Sequence, residues 1–237
     1  PLLRRLFSDG GAGLARLFER ARSRGALASL DTSLPDPASD SGRVDWKAYL
    51  DRVLPRVDLF VPSIEELLFM EDRAAYERLA GGGAVERAVT LAQCAALAEG
   101  ALRRGVSVVL IKLGDRGAYL RTGAGLPGLA GWENRELYTP VFSVPRVAGT
   151  TGAGDSTIAG FLASAFKELP PEQALTMAVA VGGCCVEAPD ATSGIRTWAE
   201  TVKRVQGGWR RAAVSVPEAG WARGGNGVWR GPGDSGG

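Results

Sequence analysis

Histidine is missing from the 237 residues altogether. That excludes every mechanism with a histidine base, serine and cysteine triads among them, and removes the commonest zinc ligand. Cysteine is scarce, with only Cys94, Cys184 and Cys185 present. Adjacent cysteines do not readily bridge each other, and one more makes no framework. They read as small buried apolar residues in a reducing compartment, and a cytoplasmic location is expected. No stretch reaches about 18 uninterrupted apolar residues, so no membrane association is expected. The opening Pro1-Leu-Leu-Arg-Arg-Leu-Phe7 has neither a long apolar region nor a small-residue cleavage site, so it is no signal peptide. It also lacks an initiating Met, which suggests a fragment or a processed start. Charge of one sign is not in excess: 28 basic and 26 acidic residues leave a net charge of +2. The signs are mixed along the chain, and no nucleic-acid partner is expected. The arginines near the start (Arg4, Arg5, Arg16, Arg20, Arg22, Arg24) have the spacing of the wet face of a helix. No GxxxxGK[ST] phosphate loop occurs.

What is present suits an ordinary globular chain, 45% hydrophobic and 23% charged, long enough to bury a core. Leu14, Leu17 and Phe18 have a helical period within Gly13–Arg24, and Gly25 stops that helix. Ala26–Leu30 reads as a short buried strand ending at Asp31. After a Pro-rich loop, Asp45 can cap a helix whose inner face is Trp46, Tyr49, Leu50 and Val53. Val57–Val61 is the next strand. Ser63 then caps a short helix, with Glu66 three residues on as in a capping box. Ala84–Arg104 reads as one long alanine-rich helix closed by Gly105. Val106–Lys112 is a near-continuous apolar run, the pattern of a strand covered on both faces. The alternation of strand and helix predicts an α/β fold, a layered and mostly parallel sheet flanked by helices. Gly117–Arg121 and Glu136–Phe142 read as further strands, and helices are expected near Asp155–Glu168, Pro170–Val186 and Thr197–Val205. We expect one α/β domain over residues 1–206. A Gly- and Trp-rich tail follows over 207–237, expected to be locally packed loop.

Gly123-Ala-Gly-Leu-Pro-Gly128 is a GxGxxG string, but it opens no helix and reads as a turn; Gly81-Gly-Gly83 reads as a linker. Thr150-Thr-Gly-Ala-Gly-Asp155 carries more chemistry. Its small residues precede an amphipathic helix, so the amides of Gly152, Ala153 and Gly154 can converge on an anion at a positive dipole end. Asp155 beside that anion can accept a proton from an attacking hydroxyl while the amides hold developing charge. A plain glycine turn with Asp155 as N-cap fits the local pattern equally well.

The longer stretch Gly149-Thr-Thr-Gly-Ala-Gly-Asp-Ser-Thr-Ile-Ala-Gly-Phe161 resembles the C-terminal signature of the ribokinase-like (PfkB) carbohydrate kinases, D-T-T-G-A-G-D followed by a helix with A-G-F. Asp31-Thr-Ser-Leu-Pro35 is similar to that family's strand-end aspartate segment. Pro62-Ser-Ile-Glu-Glu66 is similar to its P-N-x-x-E element, and Lys112-Leu-Gly-Asp-Arg-Gly-Ala118 to its T-x-G-x-x-G nucleotide loop. The resemblance runs from about Gly10 to Trp198. It implies ATP-dependent phosphoryl transfer to a carbohydrate, polyol or nucleoside hydroxyl. Asp155 would be the base, and Gly152, Ala153 and Gly154 the anion hole. Glu66 would organise Mg²⁺; Gly114, Gly117, Lys112 and Thr151 would lie along the nucleotide, and Ala178–Gly194 would supply the adenine pocket. Three departures stand out. Gly149 replaces the signature's first aspartate, which puts monovalent-cation activation in doubt. Ser63 replaces asparagine, and Lys112 a threonine. The family's N-terminal region, with its G-G signature, most sugar contacts and a lid of strands, is not recognisable here. An N-terminally truncated kinase is therefore expected, with an open sheet edge that favours a homodimer. The alternatives are a non-catalytic nucleotide- or phosphate-binding remnant or interaction module and, less in keeping with Asp31–Pro35, a dinucleotide-dependent dehydrogenase.

Overall fold

The apolar run ending at Lys112 forms the longest strand of a small parallel sheet in the computed structural model, which describes residues 4–213, 219–224 and 226–236. The opening Pro1-Leu-Leu and parts of the 207–237 tail lie outside the described residues. The chain divides into two compact units, residues 1–113 with 121–126, and residues 114–120 with 127–237.

In the first unit, β1 (Ser29–Leu30), β2 (Leu59–Phe60) and β3 (Val108–Lys112) pair in parallel, with Leu30 opposite Phe60 and Phe60 opposite Val109. Val108, Val109, Leu110 and Ile111 are fully buried, as a strand covered on both faces requires. Helix α1 (Ala12–Arg22) precedes β1, and α2 (Trp46–Val53), α3 (Ile64–Glu71), α4 (Arg73–Ala80), α5 (Val85–Ala88) and α6 (Leu91–Arg103) lie between the strands. Asp45 caps α2 by accepting the Ala48 N–H, and Trp46, Tyr49, Leu50 and Val53 are all buried. The expected capping box opens α3, with Ser63 and Glu66 bonded reciprocally.

The single helix expected over Ala84–Arg104 is two. Val89 is extended and Thr90 starts α6 through a capping box of its own with Gln93. A threonine hydroxyl that satisfies the first-turn amides competes with continuing the helix through it.

In the second unit, β5 (Glu136–Thr139), β6 (Ala222–Arg223) and β7 (Trp229–Arg230) form antiparallel pairs in the order β5-β7-β6. The Gly-rich tail therefore contributes strands where loop was expected. β4 (Ala118–Thr122) falls across the division, its first three residues belonging here. Beside these strands are α7 (Ala153–Phe166), α8 (Pro171–Cys185) and α9 (Trp198–Gln206). Small residues let α7 and α8 meet closely: a Cβ on Gly160 would lie 2.8 Å from the Met177 carbonyl oxygen, and one on Gly182 would lie 2.4 Å from Thr157 Oγ1. The tail is tied down by Asp234, which accepts from Arg135 Nε at 2.7 Å and from the Glu136 N–H at 3.0 Å.

The α/β class is as expected. The parallel arrangement belongs to the first unit, and the second adds antiparallel strands. Cys94, Cys184 and Cys185 are free and buried. Among the described residues no helix is long and apolar enough to cross a membrane.

Candidate active site

Ligands of parallel α/β sheets bind beyond the carboxyl ends of the strands. In the first unit those ends carry Asp31, Ser63 and Lys112, and the three are joined. Ser63 and Lys112 form a parallel bridge, and Lys112 Nζ lies 2.7 Å from Asp31 Oδ1. Glu66 belongs to the same cluster. Its Oε2 accepts the Ser63 N–H at 2.8 Å and the Thr32 hydroxyl at 2.9 Å, while Ser63 Oγ accepts the Glu66 N–H at 3.3 Å. Burial pushes the Glu66 carboxyl above the ordinary range, against the Lys112 charge and the Ser63 and Thr32 hydrogen bonds, which pull it down. Glu66 and Lys112 are thus brought together, but the Lys112 amine is engaged by Asp31. Thr32, which fixes the Glu66 carboxylate, was not singled out from the sequence. Its position one residue past the strand-end aspartate was the available signal.

In the second unit the loop before α7 is shaped by one residue. Gly152 is the N-cap, in the left-handed region with φ 77°. A Cβ there would lie 2.6 Å from Ala191 Cβ and 2.8 Å from Ala191 Cα, so both conformation and space require glycine. Asp155 is therefore not the N-cap. It is the third helical residue, exposed, in the first turn of α7. The Ala153 N–H donates to the Thr150 carbonyl at 3.1 Å, whereas the Gly154 and Asp155 N–H groups have no acceptor among the described residues. Unpaired amides at the dipole's positive end of a 14-residue helix, beside an exposed carboxylate, can hold an anion and take a proton next to it.

The segment Ala188–Gly194 backs this loop, a role that no motif announced. Its Asp190 accepts from the Thr192 and Ser193 N–H groups at 2.9 and 2.7 Å, and hydrogen bonds from Ser193 and Thr192 hold its carboxyl down to about 2. A Cβ on Gly194 would lie 2.4 Å from the Cys184 carbonyl oxygen, which fixes the segment over the end of α8. Cys185 Sγ donates to the carbonyls of Thr151 at 3.6 Å and Ala191 at 3.5 Å, tying loop to support from below. The support also explains Gly149: a Cβ there would lie 2.9 Å from the Pro189 carbonyl oxygen.

Gly114 is exposed, at φ 57°, and opens a short 3₁₀ turn. Gly117 has a packing reason to be glycine, because at φ 112° its Cβ would fall 1.9 Å from the Thr139 carbonyl oxygen. No group of three or more His, Cys, Asp or Glu side chains able to hold a metal occurs among the described residues.

Residues 8–198 match the family described as pfkB family carbohydrate kinase. The chain belongs to that family. Among curated proteins, this kinase-family chain is 34% identical over 96 residues to 2-dehydro-3-deoxygluconokinase of Bacillus subtilis (strain 168), covering 40% of this chain and 26% of that protein. It is 27% identical over 149 residues to an uncharacterized sugar kinase of Archaeoglobus fulgidus, covering 62% of this chain and 46% of that one. Among solved structures it resembles a putative ribokinase II of E. coli in complex with ATP and Mg²⁺, with a TM-score of 0.59 and 21% identity over 80% of this chain and 51% of that one. The pfkB-family chain thus spans at most about half the length of these relatives. The ribokinase-like fold expected from the Gly149–Phe161 signature is the fold found.

Proposed function

We propose that this chain provides the phosphate-holding and base-bearing part of an ATP-dependent kinase for a hydroxyl of a carbohydrate or related polyol or nucleoside. The observation that carries the reading is the first turn of α7. Gly152 sets the backbone there, the Gly154 and Asp155 amides have no internal acceptor, and the Asp155 carboxylate stands exposed beside them. In this reading Asp155 takes the proton of the acceptor hydroxyl. The hydroxyl oxygen bonds to the γ-phosphorus, the bond to the β,γ-bridging oxygen breaks, and ADP leaves. The Gly154 and Asp155 amides support the charge on the transferring group, the Ala153 amide being held by the Thr150 carbonyl, and Gly114, Gly117 and Thr151 contribute to the nucleotide's surroundings. Most of the rate comes from positioning and electrostatics.

Bound Mg²⁺ would neutralise charge between the phosphates. The donor set fits such an ion: Glu66 is one half-buried carboxylate with Oε2 already oriented by Ser63 and Thr32, and Mg²⁺ usually takes only one or two protein carboxylates, filling its remaining positions with water and phosphate. The B. subtilis relative's name makes 2-dehydro-3-deoxygluconate the first acceptor to assay.

Isothermal calorimetry with ATP and Mg²⁺ on the intact chain tests the phosphate site, and Asp155→Asn tests the base. The substitution is expected to leave nucleotide binding within about twofold and to lower phosphoryl transfer at least a hundredfold, the scale of a lost general base. Absence of binding heat would remove the nucleotide role, and unchanged transfer would remove Asp155 from the chemistry. Binding without transfer in the unsubstituted chain would favour the second reading, a nucleotide-binding module. The engagement of Lys112 by Asp31 supports that reading, because the amine is then not free for a phosphate.

A further inference from the structure

In the second unit, four side chains, one from α9 and three from the segments before α7 and after α9, form one continuous stack. Arg204 lies 3.5 Å from the Trp209 ring centre, Trp209 and Phe142 are stacked at 4.4 Å and 18°, and Arg211 lies 3.8 Å from the Phe142 ring centre. The two arginines that end the stack differ. Arg204 is neutralised by a two-pronged pair with Glu187, at 2.7 and 2.6 Å. Among the described residues Arg211 donates only to neutral oxygens, the Pro140 carbonyl and Thr176 Oγ1, each at 3.0 Å. No carboxylate lies within 4.0 Å of it among the described residues, whereas Arg135 and Arg230 of the same unit are both paired with Glu172. Burial pushes the Arg211 guanidinium down to about 10. A partly desolvated guanidinium with no carboxylate partner among the described residues keeps a charge that an anion can meet.

Arg211 also lines a groove of about 690 Å³ whose other walls include Met177, Trp198, Val202, Trp209 and Phe142. A second hollow of about 370 Å³ shares Arg211 and adds Arg210 and Arg223, with no acidic residue among the described residues of its lining. Apolar walls with a few fixed polar groups are the usual form of a small-molecule site. The groove is separate from the α7 loop. Its α8 residues are Gln173, Thr176 and Met177, whereas Cys185 backs the loop, and the nine residues from Thr176 to Cys185 span about 13 Å of helix.

We infer that this groove is a second binding site, for a small organic anion with a flat apolar body: the anionic group pairs with Arg211 and the ring lies against Trp198 and Met177. The stack holds the guanidinium plane in place before a ligand arrives, so little side-chain freedom is lost on binding.

The test is a fluorescence titration of the intact chain with 8-anilinonaphthalene-1-sulfonate, compared with the uncharged 1-anilinonaphthalene and repeated with saturating ATP and Mg²⁺. The sulfonate is expected to bind at least tenfold more tightly than the neutral compound, to be unaffected by the nucleotide, and to lose at least tenfold in Arg211→Met. Equal binding of the charged and neutral compounds would overturn the assignment, as would displacement by nucleotide or full binding by a folded Arg211→Met chain. Should Arg211→Met not fold, the charged-to-neutral comparison and the nucleotide competition on the unsubstituted chain decide the matter.

Discussion

Replacing Gly152 by alanine isolates the contact that shapes the candidate anion loop. The substitution meets two separate costs. Holding a non-glycine residue at φ 77° costs about 1–2 kcal/mol. The new methyl would also lie 2.6 Å from Ala191 Cβ and 2.8 Å from its Cα, so backbone must move, and overpacking of this kind costs about 1–3 kcal/mol. Gly131 separates the two. It has φ 79°, and its Cβ would meet nothing within 4 Å, so Gly131→Ala meets the conformational cost alone. The difference between the variants is therefore about 2 kcal/mol, or about 4–8 °C in Tm for a chain of this size. Tryptophan fluorescence is the suitable readout, because Trp132, Trp198, Trp209, Trp221 and Trp229 all lie in the unit that contains both glycines. Equal melting of the two variants would refute the close approach of Ala191, and with it the claim that Ala188–Gly194 shapes the loop. A lower Tm for Gly152→Ala with unchanged nucleotide affinity would keep the packing and remove the loop from binding.

Arg135→Met should cost about 1–3 kcal/mol, because the nearly inaccessible Asp234 and Glu172 lose their buried cation and keep only the half-exposed Arg230, at 3.8 and 3.2 Å. The Arg135 hydrogen bond and charge hold the Glu172 carboxyl below its ordinary range, so this stability is present above that range and lost as pH falls. The gap between variant and parent in urea midpoint should therefore narrow in acid, and a constant gap would contradict the ionic account. Glu66→Gln keeps a side chain able to complete the capping box. Burial raises the Glu66 carboxyl above its unfolded value, so its contribution is full in acid and is lost as pH rises through the raised value. The variant should gain on the parent in denaturant midpoint between pH 4 and pH 7 while losing Mg²⁺-dependent nucleotide affinity. A relative loss over that range would reverse the sign and refute the argument.

The local stops and starts of the first unit were legible because single side chains decide them. Asp45, Ser63 with Glu66, and the Val106–Lys112 run each did what their chemistry dictates. Thr90 shows the limit of composition: alanine-rich helix propensity across Ala84–Arg104 is outweighed by one hydroxyl that caps α6. The tail's strands were hidden because each is two residues long and is specified by its pairing, β7 on β5 and β6 on β7, not by its own glycine-rich segment. At the site, the Gly149–Phe161 signature named the loop, and the spacing placed Asp155 beside it. The supports were not legible. Ala191, Pro189 and Thr139 contribute backbone and small side chains, whose demand appears only as glycine at Gly152, Gly149 and Gly117. The Arg211 groove draws on residues from Phe142 to Gly227 with no common spacing.

Cys185 gives this arrangement a clock. Its sulfur is sealed beneath the carbonyls of Thr151 and Ala191 and is fully buried, so a thiol reagent can reach it only while those two segments are parted. The labelling rate of that one sulfur counts how often the loop lifts from its support. A ligand that presses the loop down slows the count, and one that pries it open quickens it. The chain thus carries an unmodified reporter of the motion at its own candidate site, readable by mass without adding a dye.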